Sequence, residues 1–253
     1  MTRVVVTGAS GHLGREVVPL LRASGAEVVA LSRRPRPAQP GLTWVTGDLS
    51  QPDPLRAALR SGDVLVHLAT QPLRAGADLN LARAAVQAAQ NAKASHLLFM
   101  SIAGLERLQA APYYRDKLAA EGLVAQSGVP FTILRTTQFH EFVAELLTRL
   151  TLPGPLTLLP AGVTLQPLEA QAAARALADL SLGSPVGHAP ELCGPQALTF
   201  AELARQRGPG RVLSLPLPVP LFRAWQGGAA VPRGAQTVGR TWAHWVAAQE
   251  HYR

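Results

Sequence analysis

Cysteine, lysine and charge are all scarce in this chain. Its 253 residues hold one cysteine, Cys193, which excludes an intramolecular disulfide and any cysteine-cluster metal site and suits a reducing compartment. Proline or charge breaks every apolar run, including residues 150–168, short of the roughly 18 to 20 residues that span a bilayer. Met1-Thr2-Arg3 leads straight into Val4-Val5-Val6 without the apolar segment of a secretory signal. A soluble cytoplasmic protein with no membrane partner is therefore expected. Charged residues make up 16% of the chain, below the roughly 25% usual for soluble domains. The formal charge of +8 is spread evenly, with 16 bases and 11 acids in residues 1–150 and 8 and 5 in 151–253. No basic tail or stripe stands out, so nucleic acid is not an expected partner.

What is present is alternation. Short β-branched runs at Arg3 to Val6, Glu27 to Leu31, Thr43 to Thr46, Val64 to Leu68, His96 to Met100 and Phe131 to Leu134 read as buried strands. Between and after them, Leu13 to Ala23, Pro54 to Arg60, Leu79 to Lys93, Tyr114 to Ser127 and Phe139 to Leu150 read as helices. Repeated units of this kind predict an α/β fold: a doubly wound parallel sheet of Rossmann type. Pro19 interrupts the first helical pattern, where it predicts a kink or a loss of stability. From Pro153 onward prolines recur and long regular elements are not expected. Helices are still predicted at Glu169 to Leu180, at Phe200 to Gln206 behind a Thr199/Glu202 capping box, and near Thr241 to Gln249. Residues 1–150 are thus expected to form a dinucleotide-binding core and 151–253 a small proline-rich lobe, packed as one structural unit.

The sharpest local signal is Thr7-Gly8-Ala9-Ser10-Gly11-His12-Leu13-Gly14. Three glycines at i, i+3 and i+6 follow a strand and open a helix. They permit a tight turn and close backbone approach, and the helix start offers free N–H donors to a pyrophosphate. In sites selective for NAD an acid about 20 residues later receives the ribose hydroxyls. The second strand here ends in Ser32-Arg33-Arg34, and guanidinium pairs suit the 2′-phosphate of NADP. The competing reading makes Arg33, Arg34 and Arg36 a solvated basic loop.

Tyr113 and Lys117 stand four residues apart, on one face of a predicted helix. An ammonium beside a phenol favours the phenolate, as a proton donor and acceptor for carbonyl reduction requires. Only Lys93 and Lys117 among the 24 bases are lysines, which makes the spacing informative. The competing reading is a surface Lys117 paired with Asp116 or Glu121 beside a packing aromatic.

These residues resemble the short-chain dehydrogenase/reductase superfamily, in its atypical, NmrA-like branch of NAD(P)-binding proteins, along essentially the whole chain. Thr7 to Gly14 looks like the cofactor loop, with Thr7, Gly8, Ser10, Gly11, His12 and Gly14 as its binding positions. Gly47-Asp48-Leu49 resembles the adenine-side motif, with Asp48 toward the adenine amino group, and Val66-His67-Leu68-Ala69 the segment lining the cofactor ribose. Tyr113 through Lys117 to Glu121, and Gly128 to Arg135, are similar to the branch's helix and sixth strand. Thr136 to Phe139 is then implied to close over the nicotinamide. Gly194-Pro195 and Gly239-Arg240-Thr241-Trp242 match the tail. The departure is at the serine that polarises the substrate carbonyl near the end of the fifth strand. Met100-Ser101-Ile102-Ala103-Gly104 offers Ser101 alone, at or just before that place. Many members of the branch bind the dinucleotide with an altered triad, and some act as redox sensors.

The first reading is an oxidoreductase preferring NADP(H) to NAD. Tyr113 carries the proton, Lys117 holds the ribose and Ser101 orients the carbonyl. A small apolar carbonyl or quinone is expected against Leu156, Leu158, Leu165 and Leu217, between the strand ends and the proline-rich lobe. The second reading is a non-catalytic dinucleotide sensor that regulates a partner, and the third a nucleotide-sugar epimerase. Monomer and homodimer are equally compatible with the sequence. His12 and His140 lack partners at ligand spacing, so no metal is expected. Trp225, Trp242 and Trp245 read as lobe core or an oligomer contact, and Cys193 as inert.

Overall fold

The computed structural model describes residues 1–250 except Ala38, Pro52, Pro155, Leu217 and Pro218, so the expectation placed on Leu217 lies outside the described residues. The chain divides into two compact units: Met1–Ser101, Pro112–Leu134 and Ala174–Ala189 form the first, and Ile102–Ala111, Arg135–Ala173 and Pro190–Arg253 the second.

The elements of the first unit follow the predicted alternation. They are β1 (Arg3–Thr7), α1 (His12–Ala23), β2 (Glu27–Ser32), β3 (Leu42–Thr46), α2 (Asp53–Ala58), β4 (Val64–His67), α3 (Ala77–Ala92), β5 (His96–Ile102), α4 (Pro112–Ala125) and β6 (Phe131–Thr136), the last residue of β5 and the last two of β6 being assigned to the second unit. Their order in the sheet is β6-β5-β4-β1-β2-β3, with β1–β2, β1–β4, β2–β3 and β4–β5 all parallel. The chain leaves β1 toward β2 and returns on the other side to β4. Ligands of open α/β sheets bind at such a reversal, outside the carboxyl ends of the strands. Val4, Val5 and Val6 are wholly buried, as a central strand covered on both faces requires. The core gathers Val5, Val29, Leu55, Leu65, Leu97, Phe99 and Ile133 with alanines of α3. Arg3 ties the strand starts together, bonding Asp63, Glu27 and the Ala58 carbonyl.

Pro19 does not end α1. The helix continues to Ala23 and buries Leu13, Val17, Val18 and Leu21, while Pro19 itself is exposed. The amide that proline lacks thus belongs to the solvent side, where a helix tolerates weaker bonds.

The second unit contains α5 (His140–Arg149), β7 (Thr151–Leu152), β8 (Leu156–Pro160) and β9 (Thr164–Leu165). Next comes α6 (Ala170–Leu182), whose first residues belong to this unit and whose remainder, with β10 (Gly187–His188), belongs to the first. The second unit then continues with β11 (Leu192–Cys193), β12 (Leu198–Thr199), α7 (Phe200–Arg207), β13 (Arg211–Leu215), α8 (Pro220–Gln226), β14 (Gln236–Thr237) and α9 (Trp242–Glu250). The capping box forms: Thr199 accepts from the Glu202 amide and Glu202 from that of Thr199. Trp225 and Trp242 are 2% and 1% exposed, Trp242 stacks on Trp245 at 5.3 Å, and its indole N–H donates to the Leu203 carbonyl. These indoles form core. His140 packs edge-on against Trp242, and burial pushes its pKa down to about 4 against the opposing bond to the Pro167 carbonyl. Leu165 is wholly buried. Among the described residues no helix is long and apolar enough to cross a membrane, and no three His, Cys, Asp or Glu side chains group as metal ligands.

Candidate dinucleotide site

The three glycines do three different things. Gly8 has φ +67, and a Cβ there would lie 2.7 Å from the Leu68–Ala69 backbone of the neighbouring strand end. Gly14 faces back into the turn, where a Cβ would overlap the Gly8 carbonyl oxygen and the Ala9 backbone. Both glycines are thus fixed by internal packing. Gly11 is exposed, and a Cβ on it would meet only the Gly8 oxygen, at 3.2 Å. Its amide closes the turn onto the Gly8 carbonyl at 2.9 Å. No side chain caps α1, so the first-turn amides remain for a ligand, and nothing internal demands a glycine where the backbone is barest.

Thr7 is wholly buried. Its hydroxyl oxygen accepts from the Leu68 amide at 3.2 Å and lies 2.9 Å from His67 Nδ1, sewing the end of β1 to that of β4. Burial first, and the Lys117 charge second, push the His67 pKa down to about 3, with Asp78 opposing. The imidazole is neutral and stacks on Phe99 at 5.7 Å.

Along this reversal runs a groove of about 260 Å³ lined by Gly8, Ser10, Gly11, Arg33, Asp48, Leu49, Leu68 and Ala69, all predicted from sequence, by Gly47 of the adenine-side motif, and by Leu31, Ser32, Thr70, Gln71 and Leu81, to which no cofactor role was assigned. Five predicted positions do not line it. Thr7 and Gly14 are buried and shape its wall, and His12 is exposed outside it. The Arg34 side chain points to solvent while its amide donates to Ser32 Oγ. Thr136 is buried in the second unit, its carbonyl accepting from the Ala103 amide. A larger cavity of about 470 Å³ lies in the second unit beside Leu147, Arg207 and Trp245. None of the predicted site residues lines it, so volume alone does not identify the site.

At the groove's rim Asp48 is exposed, its Oδ1 accepting from the Ser50 amide at 2.9 Å. That bond, the Ser50 side chain and the nearby charges of Arg33 and Arg74 hold the carboxyl below its ordinary pKa. Arg74 had no sequence signal. It sits in a turn closed by its own amide on the Gln71 carbonyl, and only the fold brings it near Asp48.

Tyr113 and Lys117 occupy successive turns of α4, as their spacing requires. Tyr113 is half-buried, its ring 5.3 Å from that of Tyr114. Tyr114 is buried, which pushes its pKa up. Lys117 is not a surface residue. Its Nζ pairs with Asp78 at 3.2 Å, with side-chain exposures of 7% and 2%, and lies 4.9 Å from the centre of the Phe99 ring and 3.4 Å from the Met100 carbonyl. Asp116 instead accepts from the Gly76 amide. Ser101 is 2% exposed, and its Oγ has no partner among the described residues. Asp78 was missed by sequence reasoning. Its one local signal was an acid in the first turn of a helix, which reads equally well as an answer to the helix dipole.

Comparison with known proteins agrees with this geometry. A family model described as NAD(P)H-binding matches residues 8–151. A (4-alkanoyl-5-oxo-2,5-dihydrofuran-3-yl)methyl phosphate reductase of Streptomyces griseus is 30% identical over 219 residues, 85% of this chain and 75% of that protein. A photosystem II assembly factor of Cyanophora paradoxa is 32% identical over 147 residues, 54% of this chain and 46% of the relative. The chain thus spans about half the length of the assembly factors it matches. An NADPH-dependent quinone oxidoreductase of Escherichia coli, solved with NADPH, superposes with a TM-score of 0.82 over 98% of this chain and 99% of that one. At 20% identity that likeness shows a shared fold. With the glycine turn, the groove at the strand reversal and the family match in agreement, the chain belongs to the NAD(P)H-binding family.

Proposed function

We propose that this protein is an NADP(H)-preferring oxidoreductase acting on a small carbonyl or quinone. The observation that carries the reading is the exposed, uncapped glycine turn opening on a groove whose rim holds Arg33 and no acid where NAD would need one. The residues present fit such a cofactor. The first-turn amides of α1 would take the pyrophosphate, Arg33 and Arg34 the 2′-phosphate, and Asp48 the adenine amino group. When bound, the dinucleotide supplies a hydride. Tyr113 holds the proton for the substrate oxygen, Ser101 orients the carbonyl, and Lys117 keeps positive charge beneath the tyrosine. The division of labour between residues 1–150, for the dinucleotide, and 151–253, for the substrate, belongs to the same proposal. The reductase named among the relatives supports it. The test is NADPH oxidation across a panel of quinones, aldehydes and ketones, with chromatographic separation of the epimers of one nucleotide sugar for the epimerase reading. In Tyr113→Phe turnover falls by about 10² to 10⁴ while NADPH affinity is kept. Full turnover in that variant removes Tyr113 from the reading.

A second reading, a dinucleotide sensor, is favoured by one observation. The Lys117 charge is already met by Asp78, leaving fewer free groups for chemistry. Binding of NADPH without turnover of any panel member, together with a partner captured only in its presence, selects that reading.

A further inference from the structure

One hydroxyl of the groove wall has no part in the reading so far. Thr70, three residues beyond β4, lines the groove, and its Oγ1 lies 2.7 Å from Asp78 Oδ2 and 3.4 Å from the Tyr113 hydroxyl. A carboxylate only accepts, so Thr70 donates to Asp78. The same hydroxyl is placed as donor toward the Tyr113 oxygen, so its proton is shared between the near carboxylate and the more distant phenol. That contact is long, as hydrogen bonds of catalytic groups often are before the ligand is bound. Asp78 in turn accepts from the Gln71 amide at 2.6 Å and from Lys117 Nζ at 3.2 Å. Tyr113, Thr70, Asp78 and Lys117 thus form an unbroken line from a half-buried phenol to an ammonium closed off from solvent.

The bond to Gln71 and the ion pair with Lys117 have a sufficient structural reason, since they pin the loop before α3 to α4. Neither explains a hydroxyl between Asp78 and Tyr113, where the isosteric valine would preserve the packing. Resting on the reading of Tyr113 as proton donor, we propose that Thr70 and Asp78 are positioning residues that wire Tyr113 to Lys117 and resupply its proton. When Tyr113 gives its proton to the substrate oxygen, Thr70 passes its hydroxyl proton to the phenolate. Thr70 recovers one through the Asp78 carboxyl, which takes it from the Lys117 ammonium. The net change is one proton moved from Lys117 Nζ to the product hydroxyl; once the product leaves, a proton from solvent enters at the exposed Thr70 and returns along the same line to the amine. The hydride that completes the reduction comes from the bound NADPH.

The experiment uses the full chain with NADPH and two probes, menadione and 4-nitrobenzaldehyde, and compares the native protein with Thr70→Val, Thr70→Ser and Tyr113→Phe. The expected result for Thr70→Val is a fall in kcat of about 10- to 100-fold, a fraction of what a whole general acid supplies. NADPH dissociation constants by calorimetry and KM for the probe should stay within about threefold. The solvent deuterium isotope effect on kcat should rise, because proton resupply becomes the slow step. Thr70→Ser should restore the native rate, and Thr70→Ala stands in for valine if that variant fails to fold. Native turnover in Thr70→Val, an equal loss in Thr70→Ser, or a loss confined to NADPH affinity overturns the relay while leaving the oxidoreductase reading intact. Full turnover in Tyr113→Phe, or none in the native protein with either probe, overturns that reading and the relay with it.

Discussion

The glycine turn and the Tyr113–Lys117 face of α4 were both read from short motifs, and the fold uses them in opposite ways. At the turn, polar backbone is left bare: Gly11 is exposed, α1 is uncapped, and Arg33 and Asp48 stand at an open rim. At the helix face, charge is already satisfied, because Lys117 is buried against Asp78 and the oxygens of Asp78 are divided among Thr70, Gln71 and Lys117. A motif made of backbone sterics carries its meaning locally. A motif made of a charge takes its meaning from whatever partner the fold delivers.

The largest effect should come from the closed side of this comparison. Asp78→Ala leaves an ammonium buried without its carboxylate, and breaking such a pair typically costs roughly 3 to 5 kcal/mol. Replacing both partners, as Asp78→Leu with Lys117→Met, should cost less than the single change. Urea unfolding of the three proteins decides it. A single variant as stable as the native chain would mean that Lys117 finds water or another acceptor.

Next come the glycines, whose unequal roles set fold against binding. Gly14→Val drives a side chain into the Gly8 carbonyl and the Ala9 backbone and should destabilise by about 3 kcal/mol. Gly11→Val meets only one oxygen at 3.2 Å. It should cost at most about 1 kcal/mol, as a poor N-cap does, yet weaken NADPH by about 100-fold or more in calorimetry, close to 2.7 kcal/mol. Equal damage to stability from both substitutions would erase the distinction between wall and cradle.

A smaller effect tests the rim. Arg33→Ala should lower the preference for NADPH over NADH by about tenfold, the loss of a charge-assisted phosphate contact of roughly 1.4 kcal/mol. Arg34→Ala should do less, since its side chain does not line the groove. The ratio of the two dissociation constants, compared at 50 and 300 mM salt, reads this directly. An unchanged ratio in the double variant would return both arginines to solvated surface.

Much of the first unit was legible because period-2 and period-3.6 patterns are written into consecutive residues. Val4 to Val6 alternate with nothing and are buried on both faces, and α1 declares its apolar stripe despite Pro19. The second unit was less legible. The five-residue parallel pair of β8 and β13 lies in proline-rich sequence, and α8 opens on Pro220, a residue that stops helices elsewhere but suits their first turn. At the site, the motif treated Thr7, Gly8, Gly11 and Gly14 alike, although only Gly8 and Gly11 line the groove. Asp78, Arg74 and Thr70 were illegible for one shared reason. Their roles depend on residues far away in sequence, which only the sheet order brings close.

The last comparison separates the closed cluster from the open groove by pH. His67 ordinarily titrates near 6.5, but burial and the Lys117 charge push it down to about 3 in the folded protein. Between those values the unfolded chain holds a proton that the native chain does not. Stability from this group is therefore complete above about pH 6.5 and is lost as the pH falls toward 3, by at most about 1.4 kcal/mol per pH unit. His140, pushed down to about 4 by burial, adds a second proton over the upper part of the same range. Replacing His67 with Gln retains an acceptor for Thr7 and removes the titration. The slope of unfolding free energy against pH between 4 and 6 should then fall by about one proton, leaving those of His140 and of His96, whose pKa burial also lowers. Because the slopes are compared, and not the absolute stabilities, the result is insensitive to packing lost on replacing the imidazole. A slope identical in both proteins would mean that water reaches His67 and that the cluster behind Thr7 is as open as the groove before it.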